Sequence, residues 1–490
     1  MSEIGILLPC VIAVLIFVTR RIVLCMFIGI VLGGIALHYQ EPMELPSYFW
    51  HKLLGVFYSF EFQTLKIDMV CLFVFLILLG ILSRVLVHSG AMREFEKWAQ
   101  KNIHTQVKAE LSVFMMSLFI FLDGLFSVVV SGQFARSLKR YSSPQRMAYI
   151  VDSIASPICV LIPISSWGAY ILGLLGQNVR QEELFVDFFE AMTQSFYAWF
   201  CPLAVFLVIV WRVDLGAMRT SYTGDKKQQM GEMTGQTNPW GLFAPLLALV
   251  CVTLVMMIAS GVSAGGVGIW GILSKADVFL ALVCGVVVAL LLALLSWKNI
   301  TLSGLWASVR EGGAEMFSLL GILILLWMFG SLLREDLQSG FYLSQFLISF
   351  LSAEYWFLIP AGLFLVSALI AFLTGTGWGT LAIMIPLSLD WGIHLPFEVG
   401  LLLACVISGA VYGDHSSPVS DTTILSASSL DCSLQSHFIT QIPYTTLVAC
   451  CTLISFVVMG IKGSLLLAFL AGGVCLFGFL AFFKGKKRRI

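Results

Sequence analysis

The chain has 490 residues, of which 59% are hydrophobic and 11% charged, with Lys and Arg balancing Asp and Glu at 28 each. Soluble domains carry roughly a quarter charged residues, so a water-soluble globule of this size is excluded, and zero formal net charge gives no reason to expect nucleic acid as a partner. A mean hydropathy of +0.95, with apolar runs of about 18 residues or more recurring from end to end, predicts an all-α polytopic membrane protein.

The first apolar run has no basic residue ahead of it and is followed by Arg20-Arg21. That order predicts a retained span with the N-terminus outside, not a cleaved signal. Further basic loops, at Arg84 to Lys108, Arg136 to Arg146, Arg212 to Lys227 and Lys298 to Arg310, and the tail Lys484 to Arg489, are assigned to the cytoplasm, whereas the acidic stretch Gln181–Glu190 is assigned outside. The segment Met92–Lys101 reads as a solvated surface helix. Basic loops flank Leu111–Phe134 on both sides although the run is apolar, so a re-entrant hairpin with its tip near Asp123-Gly124 is expected. The cysteines contain no CxxC pair and read as small packing residues.

Three short matches recur in the same order in the two halves. Leu82-Ser-Arg84 through Ser89-Gly90 resembles Leu332-Leu-Arg334 through Ser339-Gly340, Phe121-Leu-Asp123-Gly124 resembles Phe372-Leu-Thr374-Gly375, and Asp152 through Ser156-Pro157 resembles Asp414 through Ser417-Pro418. Span counting gives the halves opposite orientations and places a second hairpin over Phe357–Leu389. Inverted-topology repeats with interrupted helices are the plan of secondary transporters. The expected organisation is residues 1–212 as the first repeat, 213–239 as a cytoplasmic linker, 240–461 as the second, inverted repeat, and 462–490 as an extra span (Ser464–Phe483) with a basic, cytoplasmic tail.

Ionisable side chains inside a bilayer are costly and mark function by default. Asp123, Asp152, Asp414 and Asp421 fall inside or beside apolar runs. Pro157 and Pro418 lack an amide hydrogen, which frees the carbonyls of Ser153 and Asp414 and predicts helix breaks at Ser156-Pro157 and Ser417-Pro418. Carboxylates, freed carbonyls and hydroxyls together suit a small alkali cation, and each carboxylate can instead hold a proton. Asp414-His415-Ser416 does not read as a catalytic triad, since adjacent residues cannot adopt that geometry, and the chain has no HExxH motif. An enzyme is not expected.

The segment Ser408-Gly-Ala-Val-Tyr-Gly-Asp414-His415-Ser-Ser417-Pro418-Val-Ser-Asp421-Thr422 closely resembles the hallmark of NhaC-type sodium/proton antiporters of the ion-transporter superfamily. Phe372-Leu-Thr-Gly-Thr376-Gly-Trp378-Gly-Thr380 resembles that family's threonine/glycine hairpin, and Tyr149 through Pro157 followed by Pro163-Ile-Ser-Ser-Trp167 is a third match. The resemblance implies an elevator-type exchanger of sodium for protons across the cell membrane, with midplane carboxylates shared by the two ions. Relatives often carry two adjacent aspartates and an Asn at the first hairpin, where this chain has Asp123-Gly124, so the coupling ion stays open. The alternative is a sodium- or proton-coupled carrier of a small organic solute such as a dicarboxylate, hydroxy acid or amino acid.

The residues assigned to cation and proton binding are Asp123, Ser127, Asp152, Ser153, Ser156, Thr374, Thr376, Asp414, His415, Ser417, Asp421 and Thr422, with Asp152 and Asp414 offered as sodium ligands. No cofactor is expected beyond sodium and protons as transported ions. The expected partners are membrane lipid and those ions; an organic solute and a second copy of the chain, as a homodimer, are left open.

Overall fold

The computed structural model describes residues 22–60, 63–90, 103–176, 181–220, 240–268, 275–297, 301–339 and 352–484, with scattered positions between them. Most of the expected first span, the surface helix at Met92–Lys101 except Glu94, most of the linker and the tail beyond Lys484 lie outside the described residues. In chain order the helices include α1 (Ile22–Leu37), α2 (Leu45–Gly55), α3 (Ile67–His88), α4 (Gln106–Phe119), α5 (Gly124–Ser137), α6 (Pro144–Val160), α7 (Ser166–Gly176), α8 (Gln181–Gln194) and α9 (Phe196–Trp211). They continue with α10 (Trp240–Ser263), α11 (Val278–Ser296), α12 (Leu302–Ser331), α13 (Ile359–Thr374), α14 (Gly377–His394), α15 (Val399–Ser416), α16 (Asp421–Ser429), α17 (Leu434–Lys462) and α18 (Leu465–Phe483). Among the described residues, eight helical segments are long and apolar enough to cross a membrane. The only strands described are the two-residue pair Tyr58–Ser59 and Thr64–Leu65.

Two packed groups are visible. In one, α12 lies against α1, α2 and α3, with α11 on α3 and α10 on α11; in the other, α4 to α9 pack with α13 to α18. They meet where α7 touches α3 and where α14 touches α12. At the α3–α12 crossing, a Cβ on Gly80 would strike the Gly312 carbonyl, and one on Gly312 would strike the Gly80 carbonyl. Only two glycines let the backbones approach so closely.

The expected hairpins are both present as helix–turn–helix pairs. The arms α4 and α5 have 14 residues each, about 21 Å at 1.5 Å per residue, which is short of a hydrocarbon core of roughly 30 Å. Thr105 caps α4 and Asp123 caps α5. The tip between α13 and α14 is Gly375-Thr376. Gly375 adopts φ 71°, a left-handed conformation that glycine adopts without strain, and a Cβ there would meet the Val419 carbonyl. Thr376 then caps α14 by accepting from Gly379 N–H.

The two breaks differ from each other. The break at Pro418 falls where expected, between Ser416 and Asp421. The other is displaced: α6 runs through Pro157 to Val160, and the backbone leaves the helix over Leu161–Ser165. The carbonyl that Pro157 deprives of a partner, Ser153 O, accepts from the Cys201 thiol at 3.1 Å, so the helix has no need to open there. At the true break the Ser165 hydroxyl donates to Cys159 O at 2.5 Å and accepts from Gly168 N–H at 2.9 Å. At the start of the expected linker, Val213, Leu215 and Met218 are buried while Gly216, Arg219 and Thr220 are exposed.

Candidate functional site

Asp414, in the last turn of α15, is buried and lies where four elements converge. Its Oδ2 accepts from the Ser156 hydroxyl of α6 at 2.6 Å, and its Oδ1 accepts from the Gly377 N–H that opens α14 at 3.0 Å. Ser156 lies one residue before Pro157, on the part of α6 that the displaced break leaves helical. Gly377 has to be glycine, because a Cβ there would run into the Trp167 ring.

The first hairpin reaches the same place from the other side. Asp123 Oδ1 accepts from Phe126 N–H at 3.1 Å, capping α5, and Oδ2 accepts from the Ser166 hydroxyl at 2.7 Å. Ser166 N–H donates in turn to Leu122 O at 2.8 Å, so the tip is stitched to the start of α7. A Cβ on Gly124 would lie 3.4 Å from Trp167 Nε1 and 3.8 Å from Ser156 Oγ. The two tips therefore face each other across Trp167, whose ring stands 4.8 Å from that of Trp378. Tyr170 completes this aromatic group, donating from its hydroxyl to Trp378 O at 3.1 Å.

Asp152 belongs to a separate buried group one turn further down α6. Its Oδ2 receives His437 Nε2 at 3.1 Å and Gln441 Nε2 at 2.8 Å, both from α17. The Gln441 amide also donates to the carbonyl of His415, joining α15 to the same network. His415 Nε2 pairs with the Tyr197 hydroxyl of α9 at 2.8 Å, and its carbonyl accepts from Thr423 Oγ1 at 3.3 Å. The ring is thus held as a positioned hydrogen-bonding group.

The remaining sequence candidates scatter. Ser127 and Ser153 are fully buried with no hydrogen-bond partner for their hydroxyls. Thr374 Oγ1 bonds back to Ile370 O at 2.7 Å, and Ser417 Oγ accepts from Val419 N–H. Ser420, not Asp421, caps α16, and its hydroxyl pairs with that of Thr422 at 3.1 Å. Asp421 is exposed at the first position of α16, away from the hydrogen bonds that hold Asp414.

Sequence reasoning missed His437, Gln441 and Ser166. Ser433, His437 and Gln441 stand four residues apart and so share one face of α17, a signal that could have found two of them. It also missed Arg146, read as a loop cation. Arg146 is buried, with Nε on Glu110 at 2.8 Å, one Nη on Asp214 at 2.5 Å, and the carbonyls of Val208 and Val213 accepting as well.

Membrane-length helices packed around two facing hairpin tips, one holding the buried Asp414 and the other the half-buried Asp123, define a multi-pass membrane transporter. A sequence model for the Na+/H+ antiporter family matches residues 158–461, and the chain belongs to that family. An uncharacterized protein of Haemophilus influenzae is 32% identical over 99% of this chain and 96% of its own length. A second protein of that organism, described as an uncharacterized Na(+)/H(+) antiporter, is 31% identical over 26% of this chain and 25% of its own length. The crystal structure of the Alcanivorax borkumensis YdaH transporter, of unusual topology, matches with a TM-score of 0.51 at 13% identity, covering 89% of this chain and 90% of that one. That likeness is one of fold.

Proposed function

We propose that the protein exchanges sodium for protons across the cell membrane, with Asp414 as the carboxylate the two ions share. The observation that carries this reading is the occupancy of the hairpin tips. Helix N-termini at the midplane are where a transporter holds an anionic solute. Here the Gly377 N–H is taken by Asp414 and the Phe126 N–H by Asp123. The protein's own carboxylates already use the groups that an organic acid would seek, and what remains suits a cation. Hydroxyls that donate to these carboxylates, Ser156 and Ser166, keep oxygen lone pairs for a hard alkali ion.

Competition at one carboxylate couples the fluxes: a proton on Asp414 removes the charge that holds sodium, and sodium disfavours the proton. Apparent sodium affinity should therefore weaken as pH falls. Proton movement across the membrane of everted vesicles, followed by a pH-sensitive dye while sodium, lithium, potassium or organic acids are added at several pH values, checks this. A sodium affinity flat across the acidic range, or a response to an organic acid alone, would move the assignment to the solute carrier.

The same reading takes the two halves as inverted repeats and the hairpins with their interrupted helices as one body that carries the site past α3 and α10 to α12. At the boundary, a Cβ on Gly330 of α12 would lie 3.4 Å from Pro386 Cγ of α14. Cysteines introduced at these positions (Gly330→Cys with Pro386→Cys) and cross-linked should stop exchange, with reduction restoring it. Exchange by the locked protein at the unlocked rate would end the moving-body picture.

A further inference from the structure

We propose that His437 and Asp152 form a proton relay that serves Asp414 from the end of α6 nearest Arg146, apart from the cation's place at the hairpin tips. The inference rests on the exchange reading above. Asp152 and His437 are completely buried, yet each keeps one polar atom without a partner: Asp152 Oδ1 and His437 Nδ1. The bonded atoms, Oδ2 and Nε2, face each other at 3.1 Å. A fully satisfied structural pair would leave neither end open.

The open ends match what lies beyond them. One residue before His437, Ser436 Oγ accepts from Gln145 Nε2 at 3.2 Å, and both residues are half-buried. Ser433, the exposed N-cap of α17, stands four residues before His437, so this end of α17 carries hydroxyls from the surface to within one turn of the ring. On the other side, Ser156, which holds Asp414 Oδ2, stands one helical turn above Asp152, about 6 Å along the axis. A single bound water spans such a gap. The buried hydroxyls of Ser153 and Ser416 lie on the residues next to Asp152 and next but one to Asp414.

The step balances with one proton in and one out. His437 Nδ1 accepts a proton from the Ser436 side, Nε2 gives its own to Asp152 Oδ2, and the acid releases a proton from its carboxyl toward Ser156 and Asp414. Gln441 is a positioning residue: its amide binds Asp152 Oδ2 and the His415 carbonyl together, holding the carboxyl in register with α15. The other ionisable groups near the pair are Tyr197 and Cys201 of α9, His415 and Asp414 of α15, Tyr149 and Arg146 on α6, Tyr444 on α17 and Glu110 of α4. Thr422, Thr423 and Ser426 are the buried polar residues of α16, which has Asp421 at its exposed end.

The test uses the full-length protein in proteoliposomes, assayed in two modes. Sodium-driven proton movement needs the relay, whereas exchange of radiolabelled for unlabelled sodium at equal pH on both sides moves no net proton. His437→Gln and Asp152→Asn should each slow the first mode by roughly tenfold or more, as loss of a positioned proton-transfer group does, and should displace its pH profile. Sodium–sodium exchange should persist in His437→Gln at a rate close to that of the unaltered protein. Equal loss of both modes in His437→Gln, or retention of both with an unchanged pH profile, overturns the relay. Should Asp152→Asn fail to insert, His437→Gln decides by the same split. Asp414→Asn keeps the two readings apart, because it should lose both modes; if it kept both, the shared carboxylate would fail whatever the relay variants showed.

Discussion

Asp414→Asn is expected to abolish sodium-dependent proton movement while the protein still inserts and folds. The substitution keeps the side chain's shape and one oxygen, so either Ser156 or the Gly377 N–H retains an acceptor. What it removes is the charge. Deleting one partner of a desolvated ion pair costs about 3 kcal/mol or more, roughly a hundredfold in affinity, and the amide cannot carry a proton in the sodium-free half of the cycle. Proteoliposomes with a trapped pH indicator measure the flux, and gel filtration in detergent reports the fold. Exchange near the unaltered rate would refute the assignment of Asp414.

The second large effect is expected on stability. Arg146 is surrounded by Glu110, Asp214 and two carbonyls, and Glu110 also accepts from Ser142 at 2.6 Å and from Gln106 at 2.8 Å. Through these contacts α4, α6 and the segment after α9 are joined at one end of the site. Arg146→Met should cost about 3 to 5 kcal/mol, because Glu110 is left buried and uncompensated. Thermal unfolding in detergent and the yield of folded protein would show it. Adding Glu110→Gln should recover part of the loss, since the charge that Arg146 had balanced is gone. If Arg146→Met melted with the unaltered protein, the cluster would have no structural weight.

Much of this was legible in the residues. Hydropathy announced the helices, paired basic loops exposed the first hairpin, and the Gly375 and Pro418 motifs marked a turn and a break where the chain indeed turns and breaks. Asp414 reads as a sodium ligand from its motif, and it is the carboxylate that joins a hydroxyl of the first half to an amide of the second. The failures share a cause. Pro157 predicts an unpaired carbonyl, but whether the helix opens depends on what else can donate to it, and the donor is Cys201, distant in sequence and read as filler. Arg146 sits in a run of loop-like charges, and only the fold reveals that two acids and two carbonyls enclose it. Asp421 lies beside the same apolar run as Asp414, yet it is exposed at the start of α16 while the end of α15 is buried.

The meeting of Gly80 and Gly312 carries a consequence for how motion is shared out. Two backbones in direct contact have no side chains between them that could change rotamer, so sliding α12 along α3 would drive a main-chain carbonyl into the next residue's Cβ. The α3–α12 pair therefore behaves as a single stiff beam. On the moving-body reading proposed above, the stroke of the neighbouring helices would be taken up at softer seams, such as the Gly330–Pro386 contact, and the beam would set the origin from which that stroke is measured. On that reading, filling the notch with even one methyl group should tilt the beam and so shift both end-points of travel together, changing where the site stops and leaving its chemistry alone.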